Sequence, residues 1–307
     1  MKNVHTTAWA ALPLALGLSA PASAIVINFD YSYDSGNFFS DPTRKSVLEA
    51  AGGFFESILL DDLTAITSGG GNSFDAIFTN PADGAQTTIY DFSVAADTLT
   101  IFVGGRSLGG STLGFGGPGG FNVSGSTAFV NNALSRGEAG DTQGTTATEF
   151  APWGGAITFD SDASWYFDSD PSTLEPFTGN DFFSVALHEL GHVLGIGTAD
   201  SWDAQVDSTN LLFFGATAST LWEGPVPLEN TGHWKEGLMG VVNGSSQEVA
   251  MDPTLTAGTR KLFTNLDLAG LDDIGWDVKP VPLPGAFWLF GSGLVALAGL
   301  DRRRRRR

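Results

Sequence analysis

The chain of 307 residues contains no cysteine. Disulfides are therefore excluded, and so is a free thiol of the kind that blocks a metal site before activation. Stability must come from a hydrophobic core. Because 42% of the residues are hydrophobic, a chain of this length can bury a sizeable one.

Basic residues are scarce, since 15 Lys and Arg face 34 Asp and Glu. Lys2 and the six arginines of residues 302–307 belong to the two ends of the chain. Without these ends, 8 basic residues face 33 acidic ones, which gives a net charge of about −25. This charge argues against nucleic acid as a partner and is typical of a soluble protein outside the cell.

The N-terminal end has the pattern of a secretory signal peptide. Residues 1–24 carry Lys2, then an apolar run, and finish in the small residues Ala-Ser-Ala. A short membrane anchor is the weaker alternative, because the apolar run is too short to cross a bilayer. We predict a signal peptide over residues 1–24, and hence an exported protein.

The C-terminal end, residues 279–307, has a second sorting pattern. The uncharged apolar stretch from Pro284 to Leu300 is about long enough to cross a membrane, and the arginines after it would stay cytoplasmic. The sequence VPLPGAFWLFGSGL resembles the PEP-CTERM sorting signal of Gram-negative bacteria, although Leu283 replaces the usual Glu. The resemblance implies exosortase-like sorting machinery, transient insertion into the inner membrane, and a final location at the cell surface or outside the cell. A permanent anchor is the alternative.

The body, residues 25–278, is predicted to form one α+β domain. Strand-like alternation directly follows the signal peptide, and Thr43–Leu60 places its apolar residues on one helical face. Clusters of Gly, Asn, Asp and Ser separate the further predicted strands, which are Thr87–Val94, Thr98–Val103 and Ala156–Phe159.

Residues 104–121, GGRSLGGSTLGFGGPGGF, are very rich in glycine. They lack the flanking strand and helix and the Lys-Ser or Lys-Thr ending that a phosphate-binding loop requires. We predict a flexible loop beside a sheet edge and no nucleotide site.

The clearest chemistry lies in DFFSVALHELGHVLGIG, residues 181–197, whose apolar residues recur at helical spacing and predict a buried helix. His188 and His192 are four residues apart, so both imidazoles lie on one helix face and can reach a single zinc ion. Glu189 lies one step round the helix and can act as the general base that takes a proton from water and delivers it to the leaving amine. Gly195 permits the helix to end.

An HExxH pattern is short, and a core helix with two accidental histidines is the alternative interpretation. The scarcity of histidine argues against an accident. Apart from His5 in the signal peptide, the chain contains three histidines, which is the number that a catalytic zinc site uses: His188, His192 and His233.

The helix resembles the zinc helix of the metzincin proteases, whose longer pattern is HExxHxxGxxH. Four positions match: His188, Glu189, His192 and Gly195. The position of the third histidine is Thr198, whose hydroxyl is a poor zinc ligand. The third ligand must therefore come from elsewhere in the chain.

The leishmanolysin branch of the metzincins takes its last histidine from a later His-Trp pair. The sequence TGHWKEG contains such a pair in His233 and Trp234. The resemblance implies that His233 is the third zinc ligand, with Asp200 and Asp203 as fallback oxygen ligands.

Metzincins also place a methionine turn under the zinc, and this chain offers Met251 and Met239. We prefer Met251, because its Met-x-Pro context resembles the leishmanolysin turn; simple core packing is the alternative for either residue. A closing helix is predicted after it, with Thr264 as N-cap, Asp267 completing a capping box and Gly275 as the stop.

The segment Ala156–Phe167 resembles the strand and Asp-rich loop that precede the zinc helix in matrixins. In those enzymes the strand aligns a peptide substrate by edge pairing. Four aspartates are candidate Ca²⁺ ligands, but EF-hand spacing is missing and a solvated acidic loop is favoured; they are Asp160, Asp162, Asp168 and Asp170.

The resemblance implies an α+β metzincin-like fold with a mixed twisted sheet, a zinc-binding helix and a C-terminal helix. It also implies a secreted or surface-exposed zinc endopeptidase that acts on protein or peptide substrates. All four tyrosines lie at or before Tyr166, which excludes a tyrosine oxyanion donor of the astacin kind. The alternatives are a non-catalytic surface or matrix protein, which would have no use for Glu189, and a zinc hydrolase of a non-peptide amide.

Overall fold

The computed structural model describes residues 25–168, 170, 173 and 175–279. The predicted signal peptide and, apart from Lys279, the predicted sorting segment lie outside these residues. Within the described part of the chain, no helix has both the length and the apolar character needed to span a membrane.

Six α-helices, fifteen strands and a 3-10 helix at Phe38–Ser40 make up the described residues. The helices are α1 (Pro42–Glu56), α2 (Thr127–Ser135), α3 (Phe182–Val193), α4 (Asp200–Asp203), α5 (Ala216–Trp222) and α6 (Asn265–Asp273). The strands are β1 (Val26–Asp30), β2 (Ser73–Thr79), β3 (Gln86–Ile89), β4 (Thr98–Arg106), β5 (Gly114–Pro118), β6 (Gly120–Ser124), β7 (Gly154–Asp160), β8 (Trp165–Tyr166), β9 (Asn180–Asp181), β10 (Val206–Asp207), β11 (Leu212–Phe213), β12 (Val226–Asn230), β13 (His233–Trp234), β14 (Met239–Val242) and β15 (Ser245–Glu248). The mixture agrees with the predicted α+β class.

The central sheet has the strand order β1-β4-β7-β5. The first three strands are parallel, and β5 is antiparallel to β7 at the edge. Apolar residues of β4 alternate between two cores, since Ile101 and Val103 belong to the larger core and Phe102 to the smaller one. Both faces of this strand are therefore buried, as parallel strands require.

The larger core joins the sheet to α1, α3 and α6. Helix α1 begins with Pro42 after Asp41, whose side chain accepts a hydrogen bond from the N–H of Thr43. The smaller core lies between the central sheet and the separate sheet β3-β2-β6. Helix α3 packs against β5 and β7, so the predicted zinc helix lies at the antiparallel edge of the central sheet.

The predicted ends of α3 and α6 agree with the structure, whereas α1 ends at Glu56 and not at Leu60 as predicted. The Asp181 side chain caps α3 by accepting from the N–H of Ser184, and Gly195, with φ of 105°, lets the chain turn away after the helix. The predicted capping box of α6 is present, with Thr264 as N-cap and Asp267 completing it.

One loop prediction and one strand prediction are wrong. The glycine-rich residues 104–121 do not form a flexible loop, because they include the end of β4, all of β5 and the start of β6. Glycine leaves no apolar alternation to read, while its backbone pairs normally with β7 and β2. The predicted strand Thr87–Val94 is also too long: pairing with β2 ends at Ile89, and Asp91 turns the chain with φ of 52°.

Candidate metal centre

The first two histidines of the site project from one face of α3. His188 and His192 are separated by one helical turn, and their Nε2 atoms lie 3.0 Å apart. The helix is held from both sides, because its apolar residues are buried in the larger core. Its rigid backbone therefore fixes the spacing of the two rings.

The third histidine comes from β13, which pairs with β12 through a two-residue turn at Thr231 and Gly232. The Nε2 atom of His233 lies 3.1 Å from the Nε2 atom of His192. Gly197 and Gly232 make this approach possible, because a Cβ atom on Gly197 would lie 2.2 Å from the Gly232 carbonyl oxygen. The structure thus brings together the three histidines that the sequence singled out.

Each Nδ1 atom of the three rings faces an oxygen acceptor. The partners are the Ala250 carbonyl for His188 at 2.8 Å, the Ile196 carbonyl for His192 at 2.8 Å, and the Asn230 side-chain oxygen for His233 at 3.0 Å. An Nδ1–H that donates to these oxygens leaves Nε2 without a proton. Three Nε2 lone pairs then converge on one point.

The donor set fits zinc. A tetrahedral zinc ion with bonds of about 2.1 Å holds its nitrogen ligands roughly 3.4 Å apart. The Nε2 separations of 3.0 Å and 3.1 Å lie within a few tenths of an ångström of this value. Among the described residues, His188, His192 and His233 form a group whose ligand atoms all lie within 4.8 Å of one another. A cation at this point would accept the lone pairs of the three unprotonated Nε2 atoms, which have no hydrogen-bond donor among themselves.

Burial keeps the three imidazoles neutral. It lowers the pKa of His192 to about 4, with the neighbouring His233 adding to the effect. Burial also lowers the pKa of His233, and it lowers the pKa of His188 well below its usual value, with His192 as the second cause. Neutral rings at pH 7 are the form that binds a metal ion.

Glu189 lies on α3 next to the histidines and is 6% exposed. Burial raises the pKa of its carboxyl to about 8, and a hydrogen bond from the Gly116 N–H opposes this shift. Strand β5 runs directly over the carboxyl: a Cβ atom on Gly114 would lie 2.4 Å from Oε1 of Glu189. The glycines of β5 are therefore what lets the strand approach this side chain.

Met251 is fully buried beneath α3, whereas Met239 is half exposed on β14. A Cβ atom on Gly191 of the helix would lie 2.5 Å from the Met251 sulfur. The geometry thus favours Met251 over Met239 as the residue below the histidines.

Asp267 is a residue of this region whose role the sequence indicated only as a helix cap. Its buried carboxylate accepts from the N–H groups of Ala250 and Met251 and from the indole of Trp234. The same side chain therefore ties α6 to the Met251 turn and to the neighbour of His233. No sequence pattern marks such long-range contacts.

Thr198 and the two aspartates that the sequence offers as fallback ligands, Asp200 and Asp203, have other places in the structure. The hydroxyl of Thr198 donates to the His192 carbonyl at 2.6 Å, and the Asp200 carboxylate accepts from the Gly144 N–H at 2.6 Å. Neither Asp200 nor Asp203 belongs to the group of possible ligand atoms around the histidines in the described chain.

The four candidate calcium aspartates do not form a common ligand group among the described residues. Asp160 accepts from the Leu108 N–H at 2.9 Å, and Asp168 pairs with Arg260 at 2.8 Å. Arg260 also pairs with Asp181 at 2.9 Å, so this arginine joins the acidic loop to the start of α3. Because the basic partner lies far along the chain, no local sequence pattern indicates this pairing.

A cleft of about 650 Å³ opens beside the three histidines. The residues that line it include 111–116, which contain the start of β5, together with 230–233 and 252–255. The resemblance implies that the strand in Ala156–Phe167 aligns a peptide substrate by edge pairing. This expectation is wrong, because that strand is β7, which pairs with β4 on one side and with β5 on the other. The sheet edge that borders the cleft is β5.

Residues 126–208 match the matrixin family. The chain also resembles metalloendoproteinase 2-MMP of Arabidopsis thaliana, with 36% identity over 79 residues, which cover 24% of this chain and 21% of the relative. The match thus spans about a fifth of the relative's length. No solved structure gives a significant match to the chain.

The matrixin match includes α2, β7 and α3, and therefore Glu189 and the first two histidines. It supports a metalloprotease of the metzincin type, and matrixins are zinc-dependent. The match ends before His233. The role of the third histidine depends on geometry rather than on the comparison.

Proposed function

We propose that the chain is a zinc-dependent endopeptidase that hydrolyses peptide bonds of protein or peptide substrates. The observation that carries the proposal is the convergence of the Nε2 atoms of His188, His192 and His233 beside the Glu189 carboxyl. The matrixin match over α3 supports the same chemistry independently of the geometry.

His188, His192 and His233 would hold the metal, with Met251 as the residue of the Met-turn below them. A bound zinc ion would supply Lewis acidity, which polarises a peptide carbonyl and makes a water molecule more acidic. The ionised form of Glu189 would take a proton from water and deliver it to the leaving amine, and the positive charge of a bound metal ion would favour this form against the effect of burial. Glu189 is 6% exposed, so its carboxyl lies in an environment of low dielectric constant with little access for bulk water.

The free edge of β5 supports a peptide as substrate. The strand pairs with β7 on one side, and no other strand of the central sheet covers its second side in the described chain. An extended peptide can add to this edge through main-chain hydrogen bonds, which would place its carbonyls next to Glu189. The absence of side chains at Gly114 and Gly116 keeps the approach to that carboxyl open.

Substitution of the base tests the reaction. Glu189→Gln should lower kcat for an unstructured protein substrate by roughly a hundred-fold or more, because proton transfer loses its acceptor. The exposed Glu49→Gln on α1 removes the same charge and should retain wild-type kcat. A chelator should abolish hydrolysis and added zinc should restore it. Full activity in Glu189→Gln, or in the metal-free protein, would refute the proposal.

Zinc stoichiometry tests the third ligand. The wild-type protein should bind about one zinc ion per chain, and His233→Ala should bind it far more weakly, since one of three protein ligands is lost. Asp200→Ala serves as the control and should retain the metal. Loss of zinc from Asp200→Ala but not from His233→Ala would show that the fallback aspartate is the ligand instead.

We propose in addition that the two ends of the chain direct its export. Residues 1–24 would act as the signal peptide, and residues 279–307 would place the protein at the surface of a Gram-negative cell through an exosortase-like enzyme. Intact mass of the protein recovered from the cell surface should lack residues 1–24. A mature mass that includes them would contradict the assignment.

A further inference from the structure

A second cavity, of about 400 Å³, lies away from the metal centre and shares no lining residue with its cleft. Its walls come from the loop after β1, the end of β4 and the residue after β7. These three strands are parallel neighbours, so the cavity lies at their carboxyl ends. Loops at this edge of a parallel sheet are a common place for small ligands to bind.

Two arginines, Arg44 and Arg106, line this cavity together with Ser35, Asn37 and Ser161. The Nε atoms of both guanidinium groups are buried and have no hydrogen-bond partner. Arg44 donates to the Phe38 carbonyl at 2.9 Å through another nitrogen, and Arg106 reaches the Ser107 carbonyl at 3.4 Å. Each guanidinium therefore retains donors that the protein does not use.

The other two arginines of the described chain are far better satisfied. Arg260 forms ion pairs with Asp168 and Asp181, and Arg136 donates to the carbonyl oxygens of four residues. Within the described residues, the ion pairs of Lys and Arg with carboxylates involve Arg260 and Lys261 and not Arg44 or Arg106. The guanidinium of Arg44 lies over the Phe38 and Phe167 rings, with its carbon 4.4 Å and 5.0 Å from their centroids, and these contacts leave its N–H donors free. Arginines without a carboxylate partner are unexpected in a part of the chain that has 33 acidic and 8 basic residues.

The acidic residues next to the cavity walls are already engaged. Asp34 accepts from the N–H groups of Phe38, Phe39 and Gly105, and Asp160 accepts from the N–H of Leu108. Neither carboxylate forms an ion pair with Arg44 or Arg106 in the described chain. Two cations that face one cavity repel each other, and an anion between them removes that repulsion.

We infer that this cavity binds a small polar molecule that carries an oxyanion group, such as a phosphate, sulfate or carboxylate. The planar fork of a guanidinium matches the paired oxygens of these groups. The hydroxyl of Ser35 and the side-chain amide of Asn37 can donate further hydrogen bonds, whereas the Ser161 hydroxyl already donates to Asp162 at 3.3 Å. The volume of the cavity exceeds that of a single oxyanion and can hold a ligand of about the size of a monosaccharide.

Calorimetric titration of the purified protein tests the inference with three probes: sodium phosphate, sodium sulfate and sodium glucuronate, each at constant ionic strength set with NaCl. At least one probe should bind saturably with about one site per chain. Arg44→Gln and Arg106→Gln should each weaken that binding about ten-fold or more, because a charge-assisted hydrogen-bond donor is lost. Arg106→Lys should give an intermediate loss, since it keeps the charge and removes the fork.

Lys45→Gln is the matched control, because it removes one positive charge from the same helix without lining the cavity. The titrations are repeated on His233→Ala, in which an anion bound to the metal centre would lose its affinity. Circular dichroism confirms that each variant is folded. Binding that persists in both arginine variants, or that disappears in His233→Ala alone, would overturn the inference, and so would the absence of saturable binding by all three probes.

Discussion

At the scale of single residues, burial controls the protonation of groups that the sequence shows only as charges. The Asp61 side chain is 3% exposed, and its Oδ2 atom has no hydrogen-bond partner in the described chain. Burial raises the pKa of its carboxyl to about 7, and the nearby Glu138 and Asp277 carboxylates add to the shift. In the unfolded chain the same carboxyl has its ordinary pKa of 3.8.

The folded state therefore keeps a proton that the unfolded state loses between these two pKa values, and stability falls as pH rises through the interval. Asp61→Asn should raise the free energy of unfolding by roughly 2–4 kcal/mol at about pH 8. Below about pH 4 the gain should vanish, because the wild-type carboxyl is then protonated in both states. Urea unfolding at both pH values measures the difference.

The exposed Asp162→Asn provides the comparison for this measurement and should show no pH-dependent gain. An Asp61→Asn protein that is less stable than the wild type at the higher pH would mean that the ionised carboxylate stabilises the fold. In that case the hydrogen bonds that its carboxylate accepts, such as the one from the Asp277 N–H at 3.2 Å, would outweigh the cost of burial.

At the scale of elements, sequence reasoning succeeded where side chains carry the pattern. Helices α3 and α6 could be predicted because their apolar spacing and capping residues are local signals. Strand β5 could not, because its glycines carry no apolar alternation and its position depends on backbone pairing with β7. The element that borders the cleft was therefore predicted as a loop.

The glycines of β5 lead to a prediction of their own. Gly114→Ala should lower kcat by roughly a hundred-fold, because its Cβ atom would lie 2.4 Å from Oε1 of Glu189 and displace the proposed base. Gly117→Ala on the same strand is the control, since nothing lies within 4 Å of its Cβ atom. Peptide hydrolysis and thermal unfolding of both variants give the comparison. Equal kcat in the two variants would mean that Glu189 moves without cost.

At the scale of the whole molecule, the candidate site combines segments that are distant in the chain. His233 lies 41 residues after His192, and the sequence indicated it only through a resemblance and the scarcity of histidine. The contacts that place it, from Asn230 and through Trp234 and Asp267, cross several elements. Such contacts depend on tertiary packing and leave no periodic signal.

The net charge of about −25 on the body is a further property of the whole molecule. Like charges repel one another more strongly in the compact folded state than in the expanded unfolded chain. This repulsion therefore opposes folding. Few of the acidic residues have a basic partner that neutralises their charge. In the described residues, the ion pairs of Lys and Arg with carboxylates involve Arg260 and Lys261. Screening by salt should therefore stabilise the protein.

Raising NaCl from about 0.02 M to about 0.5 M shortens the screening length from roughly 20 Å to a few ångströms. A resulting gain of about 1 kcal/mol would appear as a rise in Tm of roughly 2–4 °C in a protein of this size. The double variant Glu49→Gln and Asp162→Asn removes two exposed negative charges, so its Tm should depend less on salt. Calcium chloride at matched ionic strength separates screening from cation binding, since only specific binding would raise Tm beyond the value in NaCl. A Tm that falls with added NaCl would show that attractive ion pairs outweigh the repulsion among the acidic residues.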